Sequence, residues 1–133
     1  MPRKVAIVGI GQTEHRTSHP EYSHSEMINE AARRALADAQ LTIKDVDAVL
    51  NGTMDLFEVH NLFDTISVDG SGAYLKPGRK MNTGGTTGAT MVASAWYHVA
   101  SGMHDVVLTI ASNKLEESGG NTTSAIITCA DPL

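Results

Sequence analysis

The sequence predicts an α/β fold in which a mostly parallel sheet carries helices on both faces, with one of the helices buried. Two continuous apolar runs, Lys4–Gly11 and Asp105–Ser112, are rich in β-branched residues, which is typical of strands buried on both faces of a parallel sheet. Segments with helical spacing of apolar residues separate the predicted strands. A length of 133 residues, 41% of them hydrophobic, suffices for one core.

The first half of the chain predicts a strand, a helix and a second strand. Lys4–Gly11 is expected to be the first, central strand of the sheet. Ser23 followed by Glu26 is a capping-box pattern, and apolar residues recur at helical spacing after it, so a helix is predicted from about His24 to Gln40. Asp47–Gly52 is the second predicted strand, joined to the first by a crossover.

The connection that follows contains one short helical pattern. Apolar residues within Glu58–Ser67 predict a short helix, and the glycines and proline of Asp69–Gly78 predict breaks in the chain. His60 in this stretch is interpreted as a surface or capping histidine, because no partner acid is identifiable in the sequence.

The stretch from Arg79 to Gly102 organises the rest of the chain. Arg79–Thr83 predicts a short strand, Gly84-Gly85 a tight turn, and the residues from Thr86 to about Ser101 a helix. Its apolar and small residues occupy all sides, which predicts that the helix is buried. Backbone N–H groups at Gly85, Thr86 and Thr87 could then hold a developing negative charge, unless the turn is scaffold alone.

Several classes of protein are excluded by composition. The net charge is −5 and the ten Lys and Arg residues are scattered, so no nucleic-acid partner is expected. No run of eighteen apolar residues occurs, so no membrane association is expected either, and the chain is predicted to be cytoplasmic. Cys129 is the single cysteine, which excludes an internal disulfide. His15, His19 and His24 are interpreted as solvated loop histidines, since their spacing matches no metal pattern.

Four blocks of sequence carry a family resemblance: KVAIVGIGQTEH, ARRALADAQLTIKDVDAVLNG, NTGGTTGA and VASGMHDVVLTIASNKL. In this order they resemble the N-terminal half of the thiolase superfamily, within the group of sterol-carrier-protein-type thiolases. The resemblance implies a thiolase-like βαβαβ half. Residues 1–113 would form the N-terminal thiolase-like domain, residues 114–133 would begin a loop excursion, and the C-terminal half of a thiolase is absent.

The resemblance also assigns a site. The family's Cys-x-Ser-Gly corresponds to Gly85-Thr86-Thr87-Gly88, so Gly85 stands at the position of the nucleophilic cysteine, and Asn113 stands where a glutamate is expected. Without that thiol the usual acyl-enzyme cannot form there. Thr86 and Thr87 are candidate hydroxyl nucleophiles, but we favour them as helix N-caps. Cys129 is interpreted as a loop cysteine without an activating base.

The residues expected to bind substrate or an oxyanion are Gly84, Gly85, Thr86 and Gly88, with no metal and no permanently bound cofactor. A coenzyme A thioester is the implied substrate.

Three functions follow from the resemblance. The leading hypothesis is an acyl-CoA-processing subunit that forms or cleaves a C–C bond next to a thioester by aldol or retro-aldol chemistry, as relatives in steroid side-chain degradation do. The alternatives are a non-catalytic half-subunit that binds acyl-CoA or lipid or is purely structural, and a thiolase acyltransferase that uses another thiol. The implied partners are a second copy, paired through Arg79–Thr83, and a small subunit with an OB-fold and a zinc ribbon.

Overall fold

The computed structural model describes residues 3–54 and 63–114. These form a three-stranded parallel sheet with helices on both faces, which confirms the predicted α/β class. In chain order the elements are α1 (His24–Asp38), a 3-10 turn (Ile43–Asp45), β1 (Ala48–Gly52), α2 (Phe63–Ser71), β2 (Gly78–Met81), α3 (Thr87–Ala100) and β3 (Val107–Ala111).

The strand order is β2-β1-β3, so β1 is central and fully buried. Leu50 of β1 is paired with Arg79 on one side and with Thr109 on the other. Because the strands are parallel, their carboxyl ends meet at one edge of the sheet, and the residues that follow the strands meet there too.

The helices are divided between the two faces. Ile28 and Ala32 of α1 pack in the core cluster with Val49 of β1, and α2 packs beside α1. Side chains alternate along a strand, so Gly52 faces the opposite side, where a Cβ would collide with the Met91 sulfur of α3. The sheet therefore lies between α1 and α2 on one face and α3 on the other.

The start of α1 forms as the capping-box pattern predicts. The Glu26 amide donates to the Ser23 hydroxyl at 3.2 Å, and the Ser23 amide donates to the Glu26 carboxylate at 2.8 Å. Hydrogen bonds from the backbone amide and from the side chain of Ser23 stabilise the charged carboxylate and lower the pKa of Glu26. The predicted helix from about His24 to Gln40 is confirmed, although it ends at Asp38.

The first predicted strand is wrong. Lys4–Gly11 forms no strand in the described part of the chain, and most of its aliphatic side chains are exposed, with Ile7 at 76%. Strand formation depends on a neighbouring strand, which a local apolar pattern cannot supply. The central strand is β1 instead.

The predicted burial of α3 is also wrong. Its bounds agree with the sequence, but only Thr87, Met91 and Ala100 are buried, whereas Val92 is 52% and Trp96 is 47% exposed. One side of the helix packs on the sheet, and nothing within the described residues covers the other side.

Two smaller differences concern the remaining elements. The short helix predicted over Glu58–Ser67 is observed as α2, displaced toward the C-terminus, and residues 55–62 lie outside the described part. β3 forms where expected, but Leu108 and Ile110 are buried while Ala111 is exposed, because β3 is an edge strand. In the residues that the structure describes, no helix is long and apolar enough to cross a membrane.

Candidate functional site

Polar residues follow each of the three strands at the carboxyl edge of the sheet. Thr53 comes after β1, the turn Asn82–Thr86 after β2, and Asn113 shortly after β3. This edge is where ligands bind in open parallel α/β sheets. The N-terminus of α3 begins directly after the turn, so the turn and the helix end form the candidate site.

The turn is held by its own threonines and by Asn82. The Thr83 amide donates to the Thr87 hydroxyl at 3.0 Å, and that hydroxyl donates to the Gly84 carbonyl at 2.7 Å. The Gly84 amide donates to the Asn82 side-chain oxygen at 3.2 Å. Thr87 therefore fixes both ends of the turn with one buried side chain.

Only one of the two glycines in the turn has a backbone conformation that requires glycine. Gly84 has a φ of +63°, a left-handed conformation in which a side chain is strained. Gly85 has no such φ, and no heavy atom lies within 4 Å of the position where its Cβ would be. Backbone geometry thus demands a glycine at position 84 but not at position 85.

The threonine hydroxyls lie in the turn but do not cap the helix. Thr86 is the N-cap residue as predicted, yet its hydroxyl makes no capping bond and donates instead to the Thr83 carbonyl at 2.8 Å. Thr87 is the first helical residue rather than a cap. Both hydroxyls are therefore engaged with backbone carbonyls of the turn.

The open end of α3 gives this turn its electrostatic character. The first amides of any helix have no acceptor within that helix, and the helix dipole adds partial positive charge at this end. The Thr87 amide, predicted to be open to an anion, instead donates to the Gly84 carbonyl at 3.1 Å. Gly85, Thr86 and Gly88 are exposed there, and a Cβ at Gly88 would also meet nothing within 4 Å. An anionic oxygen could approach this end without displacing protein atoms.

Asn113 connects the carboxyl ends of β3 and β1. Its side-chain amide donates to the Thr53 hydroxyl at 3.0 Å and to the Met54 carbonyl at 3.4 Å. The residue is thus placed at the predicted edge of the sheet, where it positions the backbone that follows β1.

The histidine interpretation needs one correction. His19 is only 8% exposed, and its ring nitrogens contact the Glu14 carbonyl at 2.8 Å and the Glu21 carboxylate at 3.3 Å, so it orders the loop from inside. The His24 ring contacts the Ser112 hydroxyl at 3.1 Å. Within residues 3–54 and 63–114 there is no cluster of three or more metal-ligating side chains. His60 and Cys129 lie outside the described residues.

Sequence reasoning missed two threonines of the site. The Thr83 hydroxyl donates to the Thr90 hydroxyl at 3.0 Å, and the Thr90 hydroxyl donates to the Thr86 carbonyl at 3.1 Å. The spacing of Thr83, Thr86 or Thr87, and Thr90 by three or four residues was visible in the sequence and is the spacing of neighbours on a helical turn.

Comparison with known proteins agrees with this fold. The chain has a thiolase-like fold: it superposes with a TM-score of 0.67 on the crystal structure of 3-oxoacyl-[acyl-carrier-protein] synthase III from Aquifex aeolicus. That match has 20% identity and covers 88% of this chain and 39% of the synthase. No protein-family model matches the sequence.

The sequence is related to named thiolases. It is 30% identical over 131 residues to an acetyl-CoA acetyltransferase of Methanothermobacter thermautotrophicus and to one of Methanocaldococcus jannaschii. Each match covers 97% of this chain but only 34% and 33% of the two enzymes. The resemblance read from the sequence is thereby confirmed: this is a thiolase-like chain that spans about a third of the length of these relatives.

Proposed function

We propose that this chain is part of an acyl-CoA-processing enzyme that makes or breaks a C–C bond next to a thioester without a covalent acyl-enzyme. One observation carries the proposal. Gly85 occupies the position that the resemblance gives to the nucleophilic cysteine, and it stands with open space at the exposed N-terminus of α3. The amides of that turn remain suited to an oxyanion, although the thiol is missing.

A retro-aldol step fits this arrangement. In a β-hydroxyacyl-CoA, the hydroxyl proton passes to a base, the bond between Cα and Cβ breaks, and Cβ leaves as a carbonyl product. The electron pair moves to Cα and gives the enolate of the thioester, which a proton then quenches. Amides at Gly85 and Thr86 would hold the enolate oxygen, since charge develops there. The base would come from polypeptide outside residues 1–133.

The direct test is an assay for the carbonyl product. The chain is incubated with β-hydroxyacyl-CoA thioesters, including those with steroid side chains, with and without any chains that co-purify with it, such as an OB-fold and zinc-ribbon subunit. Release of a ketone or aldehyde supports the proposal. If bound thioester is never cleaved in any combination, the aldol function is refuted.

A substitution at position 85 asks whether the turn faces the thioester. Because a Cβ at this position meets nothing within 4 Å, Gly85→Leu should fold normally and yet block binding of a coenzyme A thioester. Ala93→Leu is the matched control, since Ala93 is exposed on the same helix about 12 Å further along. Equal affinity in both variants would show that the turn is scaffold.

A non-catalytic binding role is the second candidate, and the composition of the turn favours it. Asn82–Gly88 contains no titratable side chain, and the hydroxyls of Thr83, Thr86 and Thr87 are hydrogen-bonded within the turn and first helical turn. In this role the chain would bind a coenzyme A thioester or another lipid thioester and pair with an active chain. In this role, the original chain should bind the thioester and the Gly85→Leu variant should not. No combination of chains should convert the thioester to product.

A thiolase reaction through another thiol is tested by covalent labelling. Incubation with radiolabelled acetyl-CoA, followed by denaturation, should leave no label on the chain. Label on Cys129 would favour the acyltransferase alternative over the aldol step.

A further inference from the structure

Two histidines face each other where α3 ends and the chain turns toward β3. The Nδ1 atoms of His98 and His104 are 3.0 Å apart, the ring planes differ by 15°, and the ring centres are 5.2 Å apart. This separation of the centres is close to the largest that a 3.0 Å contact between two ring nitrogens permits. The rings therefore meet end to end through these nitrogens rather than overlapping face to face, and the contact has the geometry of an N–H···N hydrogen bond.

The backbone brings the two rings together through the way that α3 ends. The Gly102 amide donates to the Val99 carbonyl at 3.0 Å and the Met103 amide donates to the His98 carbonyl at 3.1 Å, which is the Schellman arrangement. Gly102 has a φ of +78°, the left-handed conformation that this motif requires. The His104 amide also donates to the His98 carbonyl, at 3.3 Å, so the loop is wound closely around His98.

A single proton occupies the contact between the rings. A neutral imidazole has one donor and one acceptor nitrogen, whereas both nitrogens of a charged imidazole are donors. One ring therefore donates from Nδ1 and the other accepts at Nδ1, and either ring can be the donor. The donor ring can gain a charge by binding a proton at its Nε2 atom without losing this bond. When the acceptor ring binds a proton at Nδ1 as well, two N–H groups face each other and the bond is lost.

The charged groups around the pair do not offset a second imidazolium. The segments packed around the pair contribute two carboxylates and two cations, which are Asp47, Asp105, Arg3 and Lys76. The Arg3 guanidinium pairs with Asp105, and the Asp47 carboxylate interacts with both His104 and Lys76, so each carboxylate already has a cationic partner. His98 lies in the last turn of α3, where the helix dipole favours one positive charge.

We propose that His98 and His104 form an acid-sensitive latch between the end of α3 and the chain that leads into β3. The latch is closed while the pair carries at most one positive charge, and it opens when both rings are charged, since like charges at this distance repel each other. Imidazoles change charge between about pH 5 and 8, so mild acid opens the latch. Opening loosens residues 101–105. It also weakens the attachment of Arg3, whose amide donates to the Ala100 carbonyl at 3.2 Å.

Hydrogen exchange measured by NMR at pH 7 and pH 5 tests the latch. Each rate is divided into the intrinsic rate at the same pH, which gives a protection factor. Protection at the Met103 and His104 amides should fall at least fivefold from pH 7 to pH 5. Protection at Val49, in the buried centre of the sheet, should stay the same. Aspartates titrate at about pH 4, below this window, so Asp47 does not produce the change. Unchanged protection at Met103 and His104, or an equal fall at Val49, would overturn the proposal.

Replacing one ring by an amide separates the latch from other effects of acid. In His98→Asn the side-chain amide can donate to or accept from the remaining ring, but it gains no proton in this range of pH. Protection at Met103 and His104 should then be the same at pH 7 and pH 5. His15→Asn is the matched control, because His15 is exposed in the loop before α1, and this variant should keep the fall of the original chain.

The reciprocal variant keeps the test independent of a single substitution. His104→Asn should behave like His98→Asn, and protection at Val49 reports that each variant is folded. A fall in either folded variant as large as that in the original chain would assign the acid sensitivity to another group and overturn the proposal.

The ring nitrogens give a direct readout of the shared proton. At pH 7, nitrogen NMR shifts should show one of the two Nδ1 atoms protonated and the other bare, and at pH 5 both should be protonated. Two bare Nδ1 atoms at pH 7 would mean that the rings share no proton, which would overturn the proposal.

Discussion

At position 85 a side chain has room, and its surroundings favour a thiolate. Gly85→Cys should fold like the original chain, because the Cβ meets no atom within 4 Å and the backbone is not left-handed. The amides and dipole at the start of α3 stabilise negative charge, so the pKa of the new thiol should lie below the ordinary value of about 8.5. The pH dependence of iodoacetamide alkylation measures this pKa, with the unmodified chain as the control for Cys129.

Gly84→Cys is the contrasting variant one residue earlier. The φ of +63° at Gly84 strains any side chain, so this variant should lose about 1 kcal/mol of unfolding free energy, whereas Gly85→Cys loses little. Urea denaturation measures both losses. Equal losses in the two variants would show that the left-handed φ at position 84 does not set the cost of a side chain there.

Among the threonines of the turn, Thr87 should contribute most to the unfolding free energy. Its buried hydroxyl accepts from the Thr83 amide and donates to the Gly84 carbonyl. Thr87→Val therefore removes the acceptor of the Thr83 amide and leaves the Gly84 carbonyl with the Thr87 amide as its donor. We expect a loss of about 1–3 kcal/mol in unfolding free energy, most of it recovered by Thr87→Ser. Thr86→Val is the control with an exposed hydroxyl, and a loss as large as that of Thr87→Val would contradict this assignment.

At the scale of elements, the close contact between β1 and α3 depends on the absence of a side chain at Gly52. A Cβ at Gly52 would collide with the Met91 sulfur and lie 2.8 Å from a Thr87 methyl group. Gly52→Ala should therefore cost about 1–3 kcal/mol through overpacking. Met91→Ala in the same chain should recover part of that loss, which a double-mutant cycle measures. Strict additivity of the two changes would show that the helix does not approach β1 this closely.

Asp47 connects the beginnings of β1 and β3, and it should make stability depend on pH. The Val106 and Asp105 amides donate to its carboxylate at 2.9 and 2.8 Å and lower its pKa below the ordinary value. A lowered pKa means that the folded chain binds fewer protons than the unfolded chain, so this stabilisation is present above the ordinary aspartate pKa and is lost as the pH falls through the folded value.

The unfolding midpoint of the original chain should accordingly exceed that of Asp47→Asn at pH 7. The difference should shrink as the pH falls below 4, where the carboxyl group becomes protonated. A constant difference between the chain and Asp47→Asn across this range would refute the role of the charge.

Most helices and strands could be predicted from the sequence, but the elements that pair with them or pack on them could not. The capping box placed α1, and glycines placed the start of α3, because these signals act within a few residues. Whether residues 4–11 pair in the sheet, and whether the outer side of α3 is covered, depends on partners distant in sequence. The position of Gly85 in the turn was predictable from nearby residues. The hydrogen bonds of Thr83 and Thr90 were missed, although the spacing of these threonines is local too.

At the scale of the whole molecule, three surfaces around the sheet have no covering element among residues 3–54 and 63–114. The outer side of α3 exposes Val92, Trp96 and Tyr97, the outer edge of β3 exposes backbone groups, and β2 is the opposite edge strand. The chain spans about a third of the length of the two acetyl-CoA acetyltransferases that it matches. The three surfaces lie on different elements, so substitutions can test each one separately.

The β2 edge is where we expect a second copy to bind. In the predicted dimer, Arg79–Thr83 pairs with the same strand of the partner across a two-fold axis, and Met81 at its centre meets its equivalent. Met81→Lys would place two like charges at the axis, so this variant should sediment as a monomer at micromolar concentration while the original chain sediments as a dimer. Met103→Lys, a change at an exposed site between α3 and β3, is the control and should remain dimeric. A monomeric original chain would refute the dimer. A dimeric Met81→Lys variant whose fold is intact by circular dichroism would place the pairing surface elsewhere than on β2.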